Sequence, residues 1–214
     1  MYRGPNIGLY TAVNDSHVFI PNGFAKTKAQ NLAEYLKTDY VFTSMANTRL
    51  LGALMVVNNH GILVPQTCHQ WEFDHLKKST DLNIEILETK FNALGNLISV
   101  NDKGCVMSPI IPKEYAKKIS DILDVEVISK KVAGFHQAGV MVRATSHGGV
   151  IHPETDDDDI KTISNVLGVN LEPSTINGGV PYLSSGLLAN NNAIVAGTLT
   201  SGPEIMMLTR AFAN

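Results

Sequence analysis

Cysteine is scarce in this chain: Cys68 and Cys105 are the only two, and no CxxC pair occurs. That excludes a disulfide framework and leaves two free, largely buried thiols as the expectation. Long apolar runs are missing as well. The longest, "LLGALMVV", is far too short to cross a bilayer. The opening "MYRGPNIG" has neither the charged nor the apolar region of a signal peptide, so a cytoplasmic protein without a membrane segment is expected. There is no cationic excess: 17 Lys and Arg face 20 Asp and Glu, a net charge of −3. A whole-surface basic field of the kind that grips phosphate backbones is thereby excluded. No GxxxxGK[ST] or GxGxxG run is present, which removes the common nucleotide-binding motifs.

What the chain does contain is repetition. The phrase "GALMVVNNHGILVP" at 52–65 is a glycine, an apolar run, a polar tip, a second apolar run and a proline. Its glycine recurs as Gly8, Gly52, Gly95, Gly139 and Gly186, at steps of 44, 43, 44 and 47. Its proline recurs as Pro21, Pro65, Pro109 and Pro153, each 44 residues on. Asn14, Asn58, Asn101 and Asn192 mark the tip in four copies, and Thr145 stands there in the fourth. The 214 residues therefore read as one domain of five copies of a single unit, with hairpins starting near 8, 52, 95, 139 and 186.

Each copy divides by periodicity. Two short apolar runs around an Asn and Gly tip predict a β-hairpin. Apolar residues at helical spacing follow: Ala29, Leu32, Ala33 and Leu36; Phe73 and Leu76; Ala116, Ile119, Ile122 and Leu123; Ile160, Ile163 and Leu167; and Ile205, Leu208 and Phe212. A further β-like segment completes four of the units, giving a ββαβ-like order. A unit of about 44 residues cannot bury its apolar face alone, so neighbours must cover one another. Five copies without a polar capping repeat favour closure, because a ring leaves no exposed edge. The expected fold is a five-bladed α/β propeller with five-fold pseudosymmetry, strands towards the axis and helices outside.

Beyond architecture, "NIGLYTAVNDSHVFIP", "NALGNLISVNDKG", "GGVIHPETDDDDI" and "SGLLANNNAIVAG" resemble the archaeal translation initiation factor 6 family, the ribosome anti-association factors. The resemblance runs from residue 2 to residue 212, and "ALGN" with "ND" in one hairpin is its most specific part. It implies the pentein fold, the five-bladed propeller already read from the repeats. It further implies binding to the large (50S) ribosomal subunit near the sarcin–ricin loop, mainly through a ribosomal protein and with little direct RNA contact. The small (30S) subunit would then be blocked sterically, by a monomer, with a possible role in large-subunit maturation. No cofactor and no catalysis are implied.

The candidate partner-binding residues are Asn96, directly after Gly95, and the tip asparagines Asn14, Asn58, Asn101 and Asn192. Penteins also include guanidino-modifying enzymes, which resemble this fold but use a late cysteine nucleophile with a histidine. Here no histidine follows His152 and no cysteine follows Cys105. Cys68 stands near a helix start, where its pKa would fall. A generic interaction scaffold is the remaining alternative. His17, His60 and His147 sit at hairpin tips on different units, too far apart for a metal that needs ligands about 2 Å from one point. "ETDDDDI" reads as a helix start with Thr155 as N-cap and Asp158 in a capping-box place.

Overall fold

A computed structural model describes residues 4–213. Met1–Arg3, part of the leader reading, and Asn214 lie outside that range.

Every unit opens on one helical turn, which the apolar runs disguise as strand. The first contains α1 (Ile7–Tyr10), the hairpin β1 (Ala12–Val13) and β2 (His17–Pro21), α2 (Lys26–Leu36) and β3 (Asp39–Thr43). The second repeats this as α3 (Leu51–Leu54), β4 (Val56–Val57), β5 (Gly61–Pro65), α4 (Gln70–Ser79) and β6 (Asn83–Leu87). The third has α5 (Leu94–Leu97), β7 (Ile98–Val100), β8 (Gly104–Met107), α6 (Tyr115–Leu123) and β9 (Glu126–Ser129). The fourth has α7 (Ala138–Met141), β10 (Val142–Ala144), β11 (Gly149–Ile151), α8 (Asp157–Leu167) and β12 (Leu171–Pro173). The fifth has α9 (Leu183–Gly186), β13 (Leu187–Ala189), β14 (Ile194–Ala196) and α10 (Gly202–Phe212), with no third strand among the described residues. In the first four units the hairpin is antiparallel and the last strand pairs parallel to its second strand, for instance Ile20 with Phe42 and Val64 with Ile86. The long helix makes that parallel return possible.

The units meet through their helices. The stripes read from the sequence are buried along their inner line: Ala29, Ala33, Leu36, Leu76, Ile119, Leu123, Ile163, Leu167 and Leu208 are inaccessible or nearly so, while Leu32, Phe73, Ala116, Ile122, Ile160 and Phe212 are half-buried and Ile205 is exposed. Each stripe covers the sheet of the preceding unit. Ile119 and Leu123 join Leu63 and Val56 in one cluster, and Ile163 and Leu167 join Val106. Burying each such side chain contributes about 1.5–3 kcal/mol. The same arrangement links the last unit to the first, where Ala29, Ala33 and Leu36 pack with Leu188 and Val195. The single-turn helices also touch in sequence, α1 to α3, α3 to α5, α5 to α7, α7 to α9 and α9 back to α1. The contacts thus run through a complete circuit.

Two readings of local sequence shift by a residue or two. The N-cap of α8 is Asp156, whose Oδ1 accepts from the Asp159 N–H at 2.8 Å. Thr155, expected there, instead donates its hydroxyl to the His152 carbonyl within the preceding turn. In the fifth copy Ser184, not Gly186, holds the second place of the helical turn, where the other units have Gly8, Gly52, Gly95 and Gly139.

Candidate functional site

The five hairpins and five helical turns converge on the ring axis from opposite ends, and they solve the crowding in different ways. At the hairpin end each tip residue folds its side chain back onto its own turn. Asn58 Oδ1 accepts from the N–H groups of His60 and Gly61, and Asn14 and Asn101 do the same in their turns. The amide then reaches the next unit. Asn14 Nδ2 donates to the Asn58 carbonyl, Asn58 to those of Asn101 and Leu123, and Asn101 to those of Thr145 and Leu167. From the fifth unit to the first the link is Asn190, donating to the carbonyls of Asn14 and Leu36, while Thr145 keeps its hydroxyl within its own turn. Asn192, the residue expected from the spacing, is exposed two positions further on, and its N–H donates to Asn190. The three adjacent asparagines 190–192 leave this ambiguous by spacing alone.

A second ring lies beside the first, built from the residue after each tip. Asn59 Nδ2 donates to both Asp15 (2.6 Å) and Asp102 (2.8 Å), Ser146 Oγ donates to Asp102, and Asn191 Nδ2 donates to Asp15 (2.6 Å). The Ser146 N–H donates to Asn191 Oδ1, completing the belt. Acceptors and donors alternate, so the two carboxylates never face each other unpaired. Sequence reasoning passed over these five residues. Their signal is that a short hydrogen-bonding side chain follows every tip, in the order Asp, Asn, Asp, Ser, Asn.

At the other end the turns meet through absence of side chains. A Cβ on Gly52 would lie 1.8 Å from the Gly8 carbonyl oxygen, and one on Gly95 would lie 2.1 Å from that of Gly52. Backbone stands against backbone there. Asn96, the next residue, is half-buried on α5, and its amide bonds nothing among the described residues. The segments leading into α7 and α9 expose large apolar groups, Phe135 at 39% and Tyr182 at 45%.

The rim of this end is anchored by carboxylates. Glu72 is wholly buried and accepts from Ser44 Oγ and from the N–H groups of Ala46, Asn47 and His69. Glu204 repeats the device, accepting from Thr175 and Ser201 hydroxyls and the N–H groups of Gly178, Gly179 and Ser201. Burial alone would push both carboxyls up, but these donors outweigh it, holding Glu72 below its ordinary value and Glu204 at about 2.

Of the five candidate contacts, then, the side chains of Asn14, Asn58 and Asn101 are buried and committed to the ring, whereas those of Asn96 and Asn192 remain accessible at opposite ends of the axis. Trp71 is 51% exposed and stacks on His69 at 6.4 Å between centroids. The Cys68 thiol is pushed up to about 11 by desolvation and by the Glu72 charge, against the expected helix effect, and burial pushes Cys105 higher still. Among the described residues no three His, Cys, Asp or Glu side chains are placed to hold a metal ion, and no helix is long and apolar enough to cross a membrane.

Comparison with known proteins gives a consistent result. The model of the eIF-6 family matches residues 1–211. The chain is 60% identical to Translation initiation factor 6 of Nitrosopumilus maritimus, over all of this chain and 97% of that one. It is 36% identical to Translation initiation factor 6 of Staphylothermus marinus, over all of this chain and 96% of the other. Among solved structures it is similar to a dimethylarginine dimethylaminohydrolase variant in adduct with S-methyl-L-thiocitrulline, at 12% identity and a TM-score of 0.50, covering 78% of this chain and 68% of that one. That likeness concerns the fold alone, a mixed α/β pentein-like array of five small sheets.

Proposed function

The chain belongs to the eIF-6 family, and from that premise we propose that it is a cytoplasmic translation factor that binds the large ribosomal subunit as a monomer and sterically keeps the small subunit from joining. The match over the whole chain to relatives named Translation initiation factor 6 carries this reading. The mechanism is occlusion. A compact chain of this length has a radius of gyration of about 17 Å, enough to cover a contact patch between subunits. The main partner is a ribosomal protein near the sarcin–ricin loop, in keeping with a net charge of −3. Electrostatic complementarity with a basic protein speeds encounter more than it sets final affinity.

We place the contact at the end of the axis formed by the helical turns. Asn96 supports this choice, because an accessible side-chain amide with no internal partner loses nothing by turning to another molecule, and the exposed Phe135 and Tyr182, ahead of two other turns, add apolar area. At the hairpin end Asn14, Asn58, Asn101, Asn190 and the belt of Asp15, Asn59, Asp102 and Asn191 already have partners within the ring, and Asn192 is the accessible amide there. Catalysis is no part of the reading, since a Cys68 thiol held near 11 yields little thiolate at neutral pH.

The test mixes purified large and small subunits on a density gradient with and without the protein. Cosedimentation with large subunits and loss of joined particles is the expected outcome; protein left at the top with normal joining rejects the role. Asn96→Lys should weaken cosedimentation at an unchanged Tm, while Asn192→Lys should not. The reverse pattern would move the contact to the hairpin end.

A further inference from the structure

One charged side chain breaks the five-fold pattern inside the ring. Two positions before each tip stand Ala12, Val56, Ser99 and Leu188, but in the fourth unit that place is Arg143, on β10. Its guanidinium lines two small cavities stacked along the axis. Nη2 donates to the Ala189 carbonyl at 3.0 Å, whereas Nε is inaccessible and has no hydrogen-bond partner among the described residues. No ion pair joins Arg143 to a carboxylate among those residues either. Arg143 as a whole is half-buried, but its shielded, unpaired Nε–H calls for a partner.

The two cavities differ in what they offer. The one at the hairpin end, of about 30 Å³, includes Asp15 and Asp102 in its lining. Both carboxylates are occupied by the belt of donors from Asn59, Ser146 and Asn191. The cavity at the turn end, of about 40 Å³, is lined by no acidic residue, and Arg143 is its single charged group. Of the hydroxyls there, Thr11 donates to the Ile7 carbonyl, and Ser99 and Ser184 donate to that of Val142. That leaves the guanidinium as the side-chain donor with hydrogens to spare. The space admits roughly three or four water-sized spheres, which suits a small inorganic ion better than a phosphate ester or a peptide carboxylate with its chain.

We propose that the axial cavity at the turn end is a binding site for a small monovalent inorganic anion of chloride size, held by the Arg143 guanidinium. This goes beyond the ribosomal role and does not depend on it. The anion offsets the single cation among the residues lining the two cavities, so binding couples to folding and halide concentration sets part of the stability.

Bromide serves as the probe. Crystals grown in sodium bromide should show an anomalous peak within hydrogen-bond distance of Arg143; a water molecule there and no peak overturns the proposal. In solution, exchanging gluconate for bromide at constant ionic strength should raise Tm on the order of 3 °C per tenfold increase above the Kd. Arg143→Met should abolish that dependence, and Arg143→Gln serves if the methionine variant does not fold. A wild-type Tm indifferent to bromide, or an equal dependence in the variant, refutes the site.

Discussion

The two ends of the axis meet one geometric demand with opposite chemistry. Five hairpin tips converge through polar side chains, and five helical turns converge through a glycine in four of them and Ser184 in the fifth. At the hairpin end order comes from hydrogen bonds passed from unit to unit, so each tip depends on the identity of its neighbour. At the turn end order comes mainly from steric fit between backbones, with only the Thr11, Ser99 and Ser184 hydroxyls engaged. The lesson concerns availability. A saturated network has nothing left to give a partner, whereas a sterically closed end can hold up a free amide such as Asn96 on a rigid platform.

The harshest way to break this contrast is to give the turn end a side chain. Gly52→Ala puts a methyl group 1.8 Å from a backbone oxygen, so the whole turn must move. A loss of at least about 4 kcal/mol, or no folded protein, is expected in urea denaturation. A loss under about 1 kcal/mol would show that the turns are not in mutual contact. At the hairpin end Asn58→Ala removes two donated and two accepted hydrogen bonds. The expected cost is about 3 kcal/mol by the same measurement, and Asn101→Ala should match it.

Acid sharpens the comparison, because the rim of the turn end is tied by carboxylates. Glu204 sits at about 2 when folded against an ordinary 4.5, so between those values the unfolded chain binds the extra proton. Stability from this group is complete above pH 4.5 and disappears as pH falls through the folded value, a loss of about 3 kcal/mol at most. Glu72 is displaced in the same direction and contributes with the same sign. Glu204→Gln should be less stable than wild type at pH 7 and show a flatter decline from pH 5 to 2. Parallel declines would remove Glu204 from that role. The smallest effect separates two neighbouring residues: Asn190→Ala should cost as much as Asn58→Ala, whereas Asn192→Ala should stay within about 0.5 kcal/mol.

Much of the fold was legible because local periods carry it. The spacing of Ile119 with Leu123 and of Ile163 with Leu167 reflects which helix faces meet a sheet, and those faces are buried. The helical turns were less legible. "LGAL" and "LGNL" are apolar throughout, and four residues are too few to distinguish a turn of helix from a strand. The candidate site was legible in part. Asn96 stands where an accessible contact is possible, but Asn14, Asn58 and Asn101 are drawn inward by partners 43 to 66 residues away.

From the sequence alone come the number of units, the order of elements that follows each opening turn and the inner apolar line of each long helix, since each follows from spacing along one stretch of chain. Tertiary structure alone decided that Asn190 and Ser184 take the places the spacing assigned to Asn192 and Gly186, and that Arg143 lies within the ring. The physical reason is that equivalence between units is enforced by hydrogen bonds and close approaches across the axis. Those depend on where distant backbones come together, and a slip of two residues in one copy costs nothing in the local pattern.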